Sequence, residues 1–150
     1  MTRINSHIEV QDLTNKHLFA EYREIIRIPN VVLKNIEKTK SRVLPINFKL
    51  GTGHVLYFYN KNKYLHERFL AIINELKIRN YNNLSISDES FIKVKYEAPI
   101  LYNDISIEEK KYNASIVVHR ILERCKDKKI VINNKEYTYP MYEDLMRKYF

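Results

Sequence analysis

Residues 17–27 have the sequence HLFAEYREIIR, which predicts an α-helix with two very different sides. At about 100° per residue, the apolar side chains fall within one sector of the helix. The opposite sector carries the charged residues His17, Glu21, Glu24 and Arg27, with Arg23 at its margin. Glu and Arg three residues apart are commonly exposed ion pairs worth well under about 1 kcal/mol. The pattern alone therefore favours an ordinary solvated face over the wall of a reactive site.

This helix is the first of three long helices that the sequence predicts. It begins near Thr14 or Asn15, either of which can cap it, and extends to about Lys38. Pro29 lies inside this span and is expected to bend or interrupt the helix. The second helix, at about residues 61–79, places its apolar side chains on one stripe.

The third helix begins at the sequence SIEE, where Ser106 and Glu109 have the spacing of a capping box. Apolar residues then recur at helical spacing as far as Cys125. Strand signals are weaker: residues 130–139 have β-prone residues on both sides of Asn133-Asn134, a plausible hairpin turn. Residues 54–59, HVLYFY, suit either an extended segment or a short connector. We predict a mainly α, compact single domain over residues 1–150, with three long helices, long loops and room for a small C-terminal hairpin.

Both glycines of the chain, Gly51 and Gly53, lie in the sequence LGTGHV. Glycine adopts backbone angles that other residues avoid, and it allows close approach to a ligand. Backbone N–H groups in such a loop can bind a phosphate. The alternative is a tight turn that joins the first two helices, and the sequence alone favours this turn.

Composition limits the partners and the compartment. The 26 Lys and Arg residues exceed the 18 Asp and Glu residues, which gives a formal net charge of +8. This excess favours nucleic acid first and an acidic membrane surface second, although a merely soluble basic protein has the same charge. The apolar runs are too short to span a bilayer, and the sequence lacks a secretory signal, so we expect a cytoplasmic protein without membrane contact.

Few residues suggest metal or thiol chemistry. Cys125 is the only cysteine, so it has no internal disulfide partner, and its position predicts a core residue rather than a nucleophile. The five histidines are scattered and have no zinc-binding spacing. We therefore expect no metal and no cofactor.

The sequence starts with MTRIN, which supplies a candidate nucleophile. Methionine aminopeptidases remove Met before a small residue, so the mature chain is expected to begin at Thr2. An α-amine has a pKa of about 7.7–8.0 against about 10.4 for Lys, so roughly 15% of it is neutral at pH 7. Such an amine can attack a sugar carbon or an aldehyde without a buried site.

Together, MTRIN, HLFAEYREIIR and LGTGHVLYFYNK with a downstream YLHER resemble the pyrimidine-dimer DNA glycosylases of the phage endonuclease V type. The resemblance covers about the first half of the chain well and the third helix loosely. It implies a compact fold of three helices. It also implies an enzyme that cleaves the glycosidic bond at a UV-induced cyclobutane pyrimidine dimer. It also implies that the enzyme nicks the strand by β-elimination, after it bends the duplex and flips out a base opposite the lesion.

The resemblance also implies site residues and partners. It assigns catalysis to the α-amine of Thr2, as the nucleophile on deoxyribose C1′, and to Glu24. Residues that line the site and bind phosphates are then Arg3, His17, Arg23 and Arg27. The partner is double-stranded DNA containing pyrimidine dimers or abasic sites, bound by a monomer, and no cofactor is required. On this basis the charged face of residues 17–27 is an active-site wall.

The sequence departs from the family pattern at three places, one of which is an extra residue between Arg3 and His17. Ile25-Ile26 replaces the Leu-Pro that commonly follows the catalytic Glu, which predicts a straighter helix there and a bend moved to Pro29. The chain has no Trp, although the best-known members end in a Trp/Tyr-rich segment that recognises the dimer. Three tyrosines near the C terminus could recognise the dimer instead, namely Tyr137, Tyr139 and Tyr142. Two alternatives therefore stay open: an enzyme for abasic sites or other damaged bases, and a non-enzymatic DNA-binding protein.

Overall fold

A computed structural model describes residues 3–150 and is mainly helical. The predicted first helix is divided into α1 (Asn15–Glu24), α2 (Arg27–Lys34) and α3 (Ile36–Ser41). Thr14 caps α1, because its side chain accepts a hydrogen bond from the backbone N–H of His17. The helix predicted to extend to about Lys38 is therefore interrupted twice.

Pro29 accounts for the first of these breaks. A proline lacks the N–H that would bond to the carbonyl four residues earlier, and its ring crowds that carbonyl. For Pro29 this carbonyl belongs to Ile25, and α1 ends at Glu24. The interruption predicted for Pro29 is confirmed. The straight helix predicted at Ile25-Ile26 is wrong, because the break between α1 and α2 lies at these two residues.

The middle of the chain forms α4 (His54–Tyr57) and α5 (Asn62–Ile78). The second predicted helix is confirmed by α5, whereas an extended HVLYFY segment is wrong because α4 lies there. Gly51 and Gly53 have φ angles of +70° and +90°, the left-handed region that favours glycine. A Cβ at position 53 would collide with the side chain of Lys49, so Gly53 also allows a close approach.

The last third contains α6 (Glu89–Glu97), α7 (Ile107–Cys125) and α8 (Tyr139–Met146). The capping box of Ser106 with Glu109 is confirmed at the start of α7. The hairpin is also confirmed: β1 (Ile130–Ile132) pairs antiparallel with β2 (Lys135–Tyr137), and Asn133 has a φ of 55° in the turn. The prediction of only three helices missed α6 and α8. In α8 a proline occupies the first turn, where its missing N–H costs nothing.

Pairwise contacts join these helices around one large apolar core. α1 contacts α5, α2 contacts α6, and α7 contacts α8. Cys125 is buried in this core, and burial raises the pKa of its thiol to about 11, which confirms the predicted core role. None of the helices within residues 3–150 is both long and apolar enough to cross a membrane.

Candidate active site: a basic cleft beside the N-terminal segment

Residues 3–8, the N-terminal segment, lie inside the fold without regular secondary structure. The side chains of Ile4 and Ile8 are fully buried. The backbone N–H of Ile4 donates to Nε2 of His54 over 3.0 Å, and its carbonyl accepts from Nη2 of Arg120 over 3.3 Å. An extended segment usually forms its backbone hydrogen bonds with a neighbouring strand. Here side chains from α4 and α7 form them instead.

Asn5 is held in the same way by two charged side chains. Oε1 of Glu21 accepts from the backbone N–H of Asn5 over 3.2 Å and from its Nδ2 over 2.8 Å. Oδ1 of Asn5 accepts from Nη2 of Arg120 over 2.9 Å. The amide of Asn5 is therefore satisfied on both sides, which fixes the direction of the segment.

Glu21 is itself paired with Arg68 of α5, and both side chains are buried. Nε of Arg68 bonds to Oε2 of Glu21, and Nη1 of Arg68 donates to the carbonyl of Ile8 over 2.9 Å. A buried ion pair of this kind is costly to break, because the remaining partner keeps an uncompensated charge. The pair ties α1 and α5 to the N-terminal segment.

A cleft of about 250 Å³ lies between this segment, α1 and the end of α7. Its lining residues are Arg3, Asn5, Lys16, His17, Ala20, Glu21, Glu24, Arg120, Arg124 and Lys128. A neighbouring cavity of about 390 Å³ shares Arg3, Arg120 and Arg124 and is otherwise lined by residues 50–55. Arg3 therefore lies between two recesses rich in positive charge. A more voluminous cavity, of about 620 Å³ near His7, contains none of the predicted site residues.

Glu24 lines the cleft and contacts the start of the described chain. Its Oε2 accepts from the backbone N–H of Arg3 over 3.3 Å, and its side chain is half-buried. Glu21, one turn earlier, faces the same cleft but is committed to Arg68 and Asn5. Within residues 3–150, Glu24 has no such buried ion-pair partner.

His17 presents a neutral ring in the cleft. Burial, followed by the charges of Arg120 and Arg124, lowers the pKa of His17 to about 4. Its Nδ1 lies 2.7 Å from the hydroxyl of Thr14, which also accepts the N–H of residue 17. When this hydroxyl donates to Nδ1, the ring proton is on Nε2, where it can be donated to a phosphate or base oxygen.

His54 is also neutral, and both nitrogens of its ring form hydrogen bonds within the protein. Burial first, and then the charge of Arg120, lowers the pKa of His54 to about 4. Its Nδ1 lies 3.0 Å from the carbonyl of Lys49, to which it donates, and its Nε2 accepts from Ile4. His54 thus connects the N-terminal segment to the loop that precedes α4.

α7 contributes two arginines that our sequence analysis missed. Burial, Arg3 and Arg124 lower the pKa of Arg120 to about 10, so the group keeps its charge at neutral pH. The sequence did contain a signal, because Arg120 and Arg124 are four residues apart on one face of α7 and Lys128 follows soon after its end. The core stripe of α7 lies on its other face, which leaves this basic stripe for the cleft.

The structure brings together only part of the predicted site. Arg3, His17 and Glu24 meet in the cleft, whereas Thr2 lies outside the described residues. Arg23 and Arg27 are exposed and do not line the cleft; the guanidinium of Arg23 lies 5.1 Å from the ring centre of Phe19.

The three C-terminal tyrosines that were predicted to recognise the dimer differ in how deeply they are buried. Tyr142 is fully buried, and its hydroxyl donates to the carbonyl of Asp12 over 2.7 Å. It is a core residue and is not available to a lesion. Tyr137 and Tyr139 are half-buried and pack against the core.

These features define a class of protein: a helical fold with a positively charged cleft around the carboxylate of Glu24. The family model for pyrimidine dimer DNA glycosylases matches residues 1–89, more than half of the chain. The chain therefore belongs to this family of DNA-repair enzymes and is a DNA glycosylase directed at pyrimidine dimers. The matched residues include Arg3, His17 and Glu24, whereas Arg120 and Arg124 lie beyond them.

Proposed function

We propose that the enzyme excises the dimer through a covalent imine on the α-amine of Thr2 and then nicks the strand by β-elimination. The neutral amine attacks C1′, and the departing pyrimidine takes the electron pair of the glycosidic bond. The attached nitrogen loses one proton to the departing base. Its lone pair then expels O4′, which takes up a proton, so the sugar ring opens and a protonated imine forms at C1′. Removal of a C2′ proton then forms a C2′–C3′ double bond, the C3′–O bond breaks, and the 5′-phosphate of the downstream strand leaves.

The observation that carries this proposal is the contact of Glu24 with the backbone N–H of Arg3, at 3.3 Å. Residue 3 is covalently joined to the proposed nucleophile, so this carboxylate is held beside the reacting end of the chain. A carboxylate there stabilises the cationic imine, and it can accept the C2′ proton. The proposal requires a mature chain that begins at Thr2.

The charges of the cleft suit a DNA strand on either side of the lesion. Arg3, Arg120 and Arg124 surround the recesses beside Glu24, and an arginine fork binds phosphate oxygens in pairs. Arg120 already holds Ile4 and Asn5, so in our proposal it mainly positions the segment and Arg124 binds the phosphate. His17 donates from Nε2 to the same strand.

Arg23 and Arg27 are assigned a more peripheral part. Both are exposed outside the cleft, so we propose that they bind phosphates further along the strand. The enzyme then acts as a monomer, because one cleft with flanking arginines spans the lesion and its neighbours.

A second candidate is an enzyme of the same build that acts on abasic sites or other damaged bases. It is favoured by the C-terminal third, which has no Trp and whose Tyr142 is buried. With neither a Trp nor Tyr142 to contact the dimer, lesion recognition depends on the first 89 residues and on Tyr137 and Tyr139.

The test is borohydride trapping of untagged protein on duplexes that carry either a thymine dimer or an abasic site. Borohydride reduces an imine to a stable amine, and mass spectrometry of the digested adduct identifies the attached residue. The protein is first confirmed by mass to begin at Thr2. A matched sample that retains Met1 is the control and is expected to give no adduct at residue 2.

An adduct on Thr2 with the dimer duplex would support the full proposal. An adduct with the abasic duplex alone would keep the lyase chemistry and favour the second candidate. If correctly processed protein gave no adduct with either duplex, the imine mechanism would be wrong.

A further inference from the structure

Most of the net positive charge of the protein comes from one segment, because that segment has no acidic residues. Residues 38–66 contain six of the 26 Lys and Arg residues and none of the 18 Asp and Glu residues. This segment therefore contributes +6 of the formal net charge of +8. One of these charges, Lys40, is paired with the exposed Glu37 over 3.4 Å. A polyanion is the partner that such a surface attracts.

Two aliphatic side chains project from this basic segment. Val43 is 93% exposed and Ile46 is 86% exposed, more than the other large hydrophobic residues of the described chain. Between them Leu44 and Pro45 are half-buried, and Phe48 is buried in the core. The loop of residues 42–50 is thus anchored by its middle and its end, while the two aliphatic groups point away from the protein.

The loop is continuous with the candidate active site. A Cβ at position 53 would lie 3.6 Å from Cγ of Pro45, so this side chain packs against the glycine turn. The same turn, at residues 50–55, lines the recess that contains Arg3 and Arg124. Val43 and Ile46 thus belong to the loop that leads into the wall of this recess.

We propose that Val43 and Ile46 insert between bases of the duplex next to the lesion and hold it open. The inference rests on the proposed function. Enzymes that act on a nucleotide must take it out of the stack, and apolar wedges are a recurring device for unstacking a base step. Lys and Arg residues around the wedge bind the flanking phosphates, which places the aliphatic groups at the base edges.

The experiment uses the double variant Val43→Ser/Ile46→Ser and a matched control, Ile78→Ser/Ile107→Ser. The control removes two aliphatic side chains that are 60% and 66% exposed on α5 and α7, and neither variant changes a charge. The duplex carries a thymine dimer with 2-aminopurine opposite the lesion. Fluorescence of 2-aminopurine rises when its stacking is lost.

We expect the wild-type protein and the control to raise this fluorescence on binding and the Val43/Ile46 variant to lose most of the rise. Its single-turnover cleavage rate should fall at least about tenfold, because the variant no longer offsets the loss of base stacking. The salt dependence of DNA binding should not change, because the charges are retained.

An unchanged fluorescence rise in the Val43/Ile46 variant would overturn insertion, whatever happens to the rate. Equal loss in the control would also overturn it. Tighter binding of the wild type than of the variant to anionic phospholipid vesicles, together with equal fluorescence on DNA, would identify a membrane anchor instead. Wild-type protein that does not cleave the dimer duplex would contradict the proposed function, whereas a cleaving wild type with an equally active variant would contradict only the insertion.

Discussion

The N-terminal segment and the 42–50 loop both adjoin the basic cleft, but they are held in opposite ways. In the first, backbone groups of Ile4 and Asn5 bond to buried or half-buried side chains from α1, α4 and α7. In the second, two aliphatic side chains are almost fully exposed to solvent. His54 lies between them, because its Nε2 accepts from Ile4 and its Nδ1 donates to Lys49.

This difference matches two different demands on a DNA glycosylase. In the proposed mechanism the reacting amine has to be held within a fraction of an ångström of the sugar, since small misplacements cost large factors in rate. A surface that distorts a duplex instead needs exposed apolar and positive groups. Changes in the first segment should therefore affect chemistry and folding, and changes in the loop should affect DNA binding and the distortion of the duplex that precedes cleavage.

The largest effect is expected for Glu24→Gln, which keeps the shape of the side chain and removes its charge. In the proposed mechanism, this change removes the counter-charge of the imine and the group that accepts the C2′ proton. The cleavage rate should therefore fall at least about 10³-fold. Affinity for the dimer duplex should be kept, as measured by fluorescence anisotropy. Glu97→Gln, at an exposed position on α6, is the matched control. Cleavage at a near-normal rate would contradict the role of Glu24.

Glu21→Gln tests the attachment of the N-terminal segment. The substitution leaves the charge of Arg68 buried without a partner, which typically costs about 3–5 kcal/mol. Urea unfolding should show this loss in the free energy of unfolding. Glu37→Gln removes an exposed pair with Lys40 and should cost less than about 1 kcal/mol. Similar losses in the two variants would show that the buried pair does not anchor the segment.

His54 should make folding sensitive to acid. Its pKa is lowered to about 4 in the folded protein, against an ordinary value of 6.5. As the pH falls below 6.5, the unfolded chain takes up the proton first, so stability is complete above pH 6.5 and is lost between pH 6.5 and 4. The shift corresponds to about 3 kcal/mol. Unfolding in urea at pH 7, 5 and 4 measures it.

The variant His54→Gln removes this titration and keeps an oxygen that can accept from Ile4. Its free energy of unfolding should therefore vary less with pH than that of the wild type, by about the same 3 kcal/mol. His119→Gln, on the exposed face of α7, should leave the pH profile unchanged. His7 and His17, whose pKa values are also lowered to about 4, contribute equally to all three proteins.

The sequence predicted the elements that depend on local signals. The Ser106 capping box, the Asn133 turn and the apolar stripe of α5 each follow from residues close in the chain. The break before Pro29 was expected, but its position was not, because a proline disturbs the carbonyl four residues earlier. A proline in the first turn of α8 and its tyrosines concealed that helix.

Only those site residues that lie on one helix or in a recognised motif could be predicted from the sequence. Glu24 and His17 lie in the stretch that the family match covers, and both reach the cleft. The helical wheel placed Glu21 on the same polar face, yet a partner 47 residues away buries it. Arg68 and Arg120 are bonded to residues far away in sequence, and no local pattern predicts such a contact.

The smallest effect is expected for Arg42→Gln, in the exposed 42–50 loop. One fewer phosphate contact should weaken binding to undamaged and damaged duplexes by the same factor, about threefold, and reduce the salt slope by about one. Lys93→Gln on α6, also an exposed cation but outside the segment 38–66, is the control. Because loss of an exposed charge does not move the N-terminal segment, the cleavage rate of bound duplex should stay near that of the wild type. A large fall in that rate would show that the loop and the cleft are coupled, and that His54 transmits changes from one to the other.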